Sequence, residues 1–449
     1  MFDRRREMKE AAEAEGPPPR VTSRFIPLTS EAVIASLCRD VARRHEEEAF
    51  ARLALLLQRH RSHTYRDLAR EIRRCYLPFS PDRDTVRVLE YSAEERTELG
   101  AQLAEQIRHL LDRANYAPIP SEEIDRILNE ESPYSLRISV DLSEYDQLHL
   151  FSREIYTRTY TVRRPETLYL LKAHYEMRTF RRLFVFLKLK PDAQRADEIA
   201  TRDGIDRVKA ERIVRRRRKQ LPPSVSPEFV YIKVFKDMPE NDLDILFPLR
   251  KVQFRPFDKL KFYATAGGGT LFGIFTTTGK VLAASNPFTL LGALIGFIAL
   301  LARQISTFFN QRTRYMMELS QKLFFHNLAN NRAALMLLLD RAEEEDVKEE
   351  LIALYFHAGE TVPKTALEAR KSAIDRMLQD RYGVAVDFEF ADALSRLLAD
   401  GVVKDLGDSL HFPTLAEAAD RYSRLADREE AEDMRHICDA TVELQSNDV

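Results

Sequence analysis

An α+β membrane protein is the fold class this sequence predicts. It comprises an N-terminal helical region, a small mixed α+β sheet domain, a central transmembrane helical hairpin, and a C-terminal helical and winged-helix-like region. Three observations predict it. One long apolar stretch interrupts a chain in which 31% of residues are charged. Apolar residues recur at helical spacing on both sides of that stretch. Just ahead of it the spacing changes to two, the period of a strand.

Composition bounds the rest. The 449 residues suggest several domains. Lys+Arg number 69 and Asp+Glu 71, a formal net charge of -2, which argues against a protein built as a whole to coat nucleic acid. Cys38, Cys75 and Cys438 lie far apart with no CxxC, excluding a disulfide scaffold or zinc ribbon and fitting a reducing compartment. Residues 1–22 mix acids and bases and end in a proline run, so they read as a disordered tail without a leader pattern.

Residues 23–130 read as helical. Val33, Ile34, Leu37 and Val41 share a face, as do Phe50, Leu53 and Leu57, then Tyr65, Leu68, Ile72 and Tyr76, then Leu99, Leu103, Ile107 and Leu110. Pro78 and Pro81 break the run, and Ser121 is a candidate N-cap. Residues 131–258 read as the sheet domain. Strands are expected at 136–140, 155–162, 183–189 and 229–235, with a helix at 240–247.

Residues 259–309 are the expected hairpin. Between Lys261 and Arg303 the only charge is Lys280, and Ser285-Asn286-Pro287 marks a turn. Each arm approaches the roughly 20 apolar residues a membrane helix needs. Gly269 and Gly273 in one arm, and Gly292 and Gly296 in the other, sit four apart, a spacing that lets helices pack closely or pair subunits into a homo-oligomer. Lys259 and Lys261 precede the arms, and Arg303, Arg312 and Arg314 follow, so the positive-inside rule places both termini on the cytoplasmic side, as in a bacterial inner membrane. A buried soluble hairpin is the competing reading.

Residues 310–360 read as helical, with Tyr315, Leu319 and Leu323 on one face, then Val347, Leu351, Leu354, Tyr355 and Ala358 on another. Residues 361–424 read as a winged-helix-like domain: a helix at 366–382, a strand at 384–388, a helix at 390–399 and a hairpin at 402–412. Residues 425–449 form an acidic tail, expected to be frayed or solvent-facing.

Chemistry is sparse. No GxSxG, HExxH, Walker lysine motif or kinase signature is present, and nothing calls for a cofactor or metal. His60 and His63 lack a third ligand in register and read as surface histidines. Asp141, Glu144 and Asp146 read as a turn between strands. The run Ala196 to Arg218 looks like a helix-turn-helix. Its end, Arg215, Arg216, Arg217, Arg218 and Lys219, reads either as a solvated helix terminus or as a contact for anionic lipid headgroups. The winged-helix-like unit has Glu389, Asp392 and Asp400 against one Arg396, which disfavours nucleic acid.

Several stretches carry a resemblance. They are Arg24-Phe25-Ile26-Pro27, Tyr76-Leu77-Pro78-Phe79-Ser80-Pro81-Asp82, Phe235 to Pro248 followed by Pro256 to Lys261, Asn330-Asn331-Arg332, and Glu343 to Glu349. Together they resemble the transmembrane protein 143-like family, whose bacterial relatives share a domain of unknown function. The resemblance implies two central membrane spans and supplies no activity. The expectation is therefore a membrane-anchored scaffold or adaptor with lipid and an unidentified protein as partners. A membrane-tethered nucleic-acid-binding regulator and a lipid-associated enzyme are the alternatives.

Overall fold

A computed structural model describes residues 13–14, 22–41, 45–82, 91–129, 136–163, 172–219, 221–222, 225–254, 306 and 324–446. Helices are α1 (Ser30–Val41), α2 (Glu47–Tyr76), α3 (Ala93–Arg113), α4 (Ser121–Asn129), α5 (Asp192–Asp203), α6 (Arg207–Arg218), α7 (Asn331–His357), α8 (Leu367–Tyr382), α9 (Phe390–Ala399) and α10 (Leu415–Ser446). Strands are β1 (Glu13–Ala14), β2 (Ala117–Pro118), β3 (Leu136–Val140), β4 (Tyr145–Arg163), β5 (Lys172–Leu189), β6 (Val230–Pro239), β7 (Arg250–Phe254), β8 (Asn327–Asn330), β9 (Thr361–Pro363), β10 (Lys404–Asp405) and β11 (Ser409–His411).

The main sheet is antiparallel, in the order β1-β4-β5-β6-β8, with β2 also on β4. Alternation along β5 explains its two covered faces, because successive side chains point to opposite sides. Phe184 and Phe186, with Val230, Ile232 and Val234 of β6, meet α3 and parts of α2 and α7. Leu183, Val185, Leu187 and Leu189 meet Ile124 and Ile127 of α4 and a 3₁₀ turn at Glu240–Leu246. Strands β3 and β7 form a separate two-stranded ribbon.

A second core gathers α1, the first half of α2, the second half of α7, and residues 361–426. There β9, α8, α9 and the β10–β11 hairpin follow α7, with strand order β10-β11-β9, the arrangement of a winged helix. The expected strand at 384–388 is only a single bridge, Val386 to Ser23, whereas β9 had no sequence signal beyond Val362. The acidic tail is helical rather than frayed over the described residues, with most of 427–435 solvent-facing as expected: α10 runs to Ser446 and packs along α2.

The expectation of a membrane protein is corrected here. The described body is mixed α+β with three antiparallel sheets, and no described helix is long and apolar enough to cross a membrane. Length is not what fails, since α2 has 30 residues. Arg, Glu and His recur at nearly every turn of it, whereas a span needs an almost uncharged run. The hairpin at 262–309, its glycines Gly269, Gly273, Gly292 and Gly296, and its flanking Lys259, Lys261, Lys280, Arg303, Arg312 and Arg314 lie outside the described residues.

Candidate functional site

Helix α7 is built from strong helix formers and contains no Gly or Pro. Its first part, Ala334 to Ala342, belongs to the sheet core; Val347 and Leu351 to Leu354 belong to the second core. Helix α2 runs between the same cores, with Phe50 to Leu57 in one and Tyr65 to Tyr76 in the other. Where both helices pass from core to core, the interior is ionic. Glu345, Asp346, Lys348, Glu349 and Glu350 are all buried.

Each buried charge has a partner. Arg396 of α9 places Nη1 3.2 Å from Asp346 and Nε 2.9 Å from Glu350, and also bonds Glu349. Arg61 of α2 meets Glu350 at 2.9 Å and pairs with Asp400. Arg113 of α3 pairs with Asp346 and lies over the Tyr65 ring at 4.6 Å. The Tyr65 hydroxyl donates to Asp346 at 2.8 Å, and the Tyr422 hydroxyl donates to Glu350 at 3.2 Å. Such pairs offset desolvation only when the remaining lone pairs are also satisfied.

The N-terminal segment threads through the same layer. Ile26 N–H donates to Glu345 Oε1 at 2.7 Å. Lys348 Nζ lies 2.7 Å from Glu345 and donates to the carbonyls of Ile26 (2.8 Å) and Leu28 (3.0 Å). Arg153 and Lys348 both lie over the Phe25 ring, at 4.1 Å and 4.4 Å. Thus Arg24 to Pro27 and Glu343 to Glu349, far apart in sequence, are one structural unit. The Tyr76–Asp82 and Asn330–Arg332 stretches meet likewise. Asn331 Nδ2 donates to Asp82 at 3.1 Å, and Ile232 N–H donates to Asn331 Oδ1 at 3.2 Å.

Burial dominates the protonation of this layer. It holds Glu349 well above the usual carboxylate range despite Arg396, and raises Glu350 despite Arg61. Glu345 is raised by burial against the pull of Lys348. At the edge, burial would raise Asp400, but a hydrogen bond from His60 and the charge of Arg61 hold it low. Burial would lower His60, yet its bond to Asp400 and the charges of Asp400 and Glu429 raise it. At the entry to α9, burial, then a hydrogen bond with Asp392, push Glu389 up to about 7, although Arg24 sits 3.0 Å away.

His60 and His63 are not surface residues: both side chains face α10. His60 bonds Glu429 and lies 3.4 Å from Asp400, and His63 lies 3.5 Å from Asp433. Among the described residues no group of three ligand types could hold a metal ion.

The second charged cluster roots α5 and α6. Arg195 is buried and meets Asp141 at 3.0 Å, Glu144 at 3.1 Å and Glu198 at 3.0 Å. Asp141 N-caps the 3₁₀ turn at Leu142–Glu144, its side chain accepting from Ser143 N–H at 3.3 Å. Arg217 bonds Glu144, and Arg218 bonds Asp192 at 3.1 Å and the Lys190 carbonyl at 3.0 Å. The basic run is therefore split. Arg217 and Arg218 turn inward, while Arg215, Arg216 and Lys219 are exposed.

Sequence reasoning missed Arg61, Arg113, Lys348 and Arg396 as members of one cluster. A signal existed. The acid-rich middle of α7 is bracketed by runs that are apolar on all sides, Ala333 to Leu339 and Leu351 to Tyr355, and a helix buried at both ends cannot expose its centre.

Residues 180–333 match the model of a family described as a protein of unknown function, DUF3754. That span holds the second half of β5 from Phe180, the α5–α6 arm, β6, β7, β8 and the first residues of α7; it stops short of Glu343 to Glu350. No solved structure matches the chain.

Proposed function

We propose that this chain is a scaffold or adaptor whose ionic layer fixes a winged-helix-like unit against a sheet-centred body. The observation that carries the reading is that every buried acid of that layer meets a cation of the same chain. Glu345, Asp346, Glu349 and Glu350 are answered by Lys348, Arg61, Arg113 and Arg396, all from the same chain. A layer closed in this way sets geometry between two cores rather than presenting an acid or base to a substrate.

The winged-helix-like unit fits a protein partner better than a phosphate backbone. Arg396, the single cation of α9, is directed inward, and Asp392 and Ser395 face solvent. Kinship with the transmembrane protein 143-like family is proposed on the paired stretches at Arg24 to Pro27 and Glu343 to Glu349, and it brings no activity with it. The test places a photo-crosslinking residue at Asp392 or Ser395 in the native cell. The expected result is a discrete adduct with one protein species at both positions. Absence of adducts at both positions would overturn the assignment.

A further inference from the structure

The helical arm between β5 and β6 has its own small core, made by Ala196 and Ile199 of α5 against Ala210 and Val214 of α6. The turn is three residues, Gly204-Ile205-Asp206. Gly204 takes φ +61 to close α5, and the Asp206 side chain accepts from Val208 N–H to start α6. This is a helix–turn–helix anchored at its base by Arg195, Arg217 and Arg218.

Opposite the buried Ala210 and Val214, α6 presents Val208, Arg212, Arg215 and Lys219 in one row, flanked by Lys209 and Arg216. The positions recur at i, i+4, i+7 and i+11, so they share a face about 16 Å long. All six are exposed, and Val208 is 52% exposed. None of these five cations has an acidic partner among the described residues. The acids nearby are already used: Asp197 and Glu211 lie beside Arg207, Asp192 on Arg218, Glu198 on Lys190 and Arg195, and Asp203 on Arg202. The arm therefore carries concentrated, uncompensated positive charge in a chain whose net charge is -2.

We propose that the outer face of α6 binds the phosphate backbone of B-form DNA, seated at the major groove. Three features favour that partner. A second helix after a short glycine turn is the element that enters a major groove in helix–turn–helix proteins. The groove is about 12 Å wide and admits one helix with cations reaching both walls. The A-form RNA groove is too deep and narrow for it. Val208, near the start of α6, is an exposed apolar side chain of the kind that can meet a thymine methyl. This inference goes beyond the adaptor reading and does not depend on it. It also assigns the arm, rather than the winged-helix-like unit, as the surface that touches DNA.

The test uses the full chain and a short fluorescent DNA duplex, with binding followed by anisotropy between about 50 and 200 mM salt. Wild type should bind at the low end and weaken steeply with salt. The triple variant R212A/R215A/K219A should bind at least about ten-fold more weakly, with a salt slope shallower by about 2–3, since each lost phosphate contact removes about 0.9. The charge-keeping variant R212K/R215K should retain most of the affinity, which separates charge from folding. R202A, which removes a cation already paired with Asp203, should bind as wild type does. The proposal falls if wild type does not bind the duplex, or if the triple variant binds it unchanged. It also falls if an RNA duplex of equal length binds equally well, or if phosphatidylglycerol vesicles bind the face while DNA does not.

Discussion

Arg396, partly buried, and Arg195, fully buried, each hold three carboxylates, yet they sit in different surroundings. The acids around Arg396 are at most 4% exposed, and two apolar cores close the layer above and below. Around Arg195 only Glu144 is dry; Asp141 and Glu198 are 29% and 34% exposed. The difference separates two uses of charge. In the α7 layer water cannot replace a lost partner, so the network specifies how two cores meet. At the root of the arm water can, so the network only steadies an appendage whose outward face is left for a ligand.

The largest effect should come from breaking the dry network. Arg396→Met would leave Asp346, Glu349 and Glu350 facing only Arg61, Arg113 and each other. Removing one side of a buried pair costs about 3–5 kcal/mol, and urea unfolding should show a loss of that size. Adding Glu349→Gln to the same chain should restore part of it, because Glu349 is already biased by burial toward its neutral form and a neutral side chain relieves the uncompensated charge. A loss under about 1 kcal/mol would mean that the layer is hydrated, and the contrast with Arg195 would disappear.

A smaller and local effect is expected at the arm. Arg195→Met leaves Arg217 on both Asp141 and Glu144, and the half-wet acids recover hydration. The cost should be about 1–3 kcal/mol, the range for one strained or unpaired polar group. Hydrogen exchange should quicken over residues 192–218 while the amides of α2 and α7 keep their protection. Equal losses in the two variants, or deprotection spreading into α7, would show that the arm is part of the body.

How much of this contrast was readable beforehand follows from what each element contributes. The helical faces at Val33 to Val41, Phe50 to Leu57 and Leu99 to Leu110 were legible, because one side meets a core and the other meets water. The strand alternation at Leu183 to Leu189 marked β5, but its true start at Lys172 was hidden among polar residues whose place is set by pairing with β4. The split of Arg215 to Lys219 was not legible, since the carboxylates that draw in Arg217 lie on a turn some 70 residues earlier in the chain, and Arg218 turns to Asp192 and the Lys190 carbonyl at the start of α5. The ionic layer was hidden for the same reason. A run such as Glu343 to Glu350 reads as solvent-facing until the partner cations on α2, α3 and α9 are seen to converge on it.

The smallest effect lies at the edge of the dry layer, where α10 closes on α2. His60 stands between Asp400 and Glu429, with Arg61 beside it and the Tyr422 ring 5.4 Å away. Its folded-state pKa is raised above the ordinary 6.5, so protonated His60 favours the folded chain. That contribution is fully present below about pH 6.5 and is lost as pH rises through the folded value. Glu345, Glu349 and Glu350 are raised too, and they also lose stability with rising pH, but they do so in wild type and variant alike. Subtracting the curve of His60→Gln from that of wild type isolates the histidine. The difference in unfolding free energy should be largest near pH 6 and shrink towards pH 8, remaining smaller than either arginine effect. A difference that stays constant across this range would show that His60 acts at this seam through packing alone, and one that grows with pH would reverse the assigned charge.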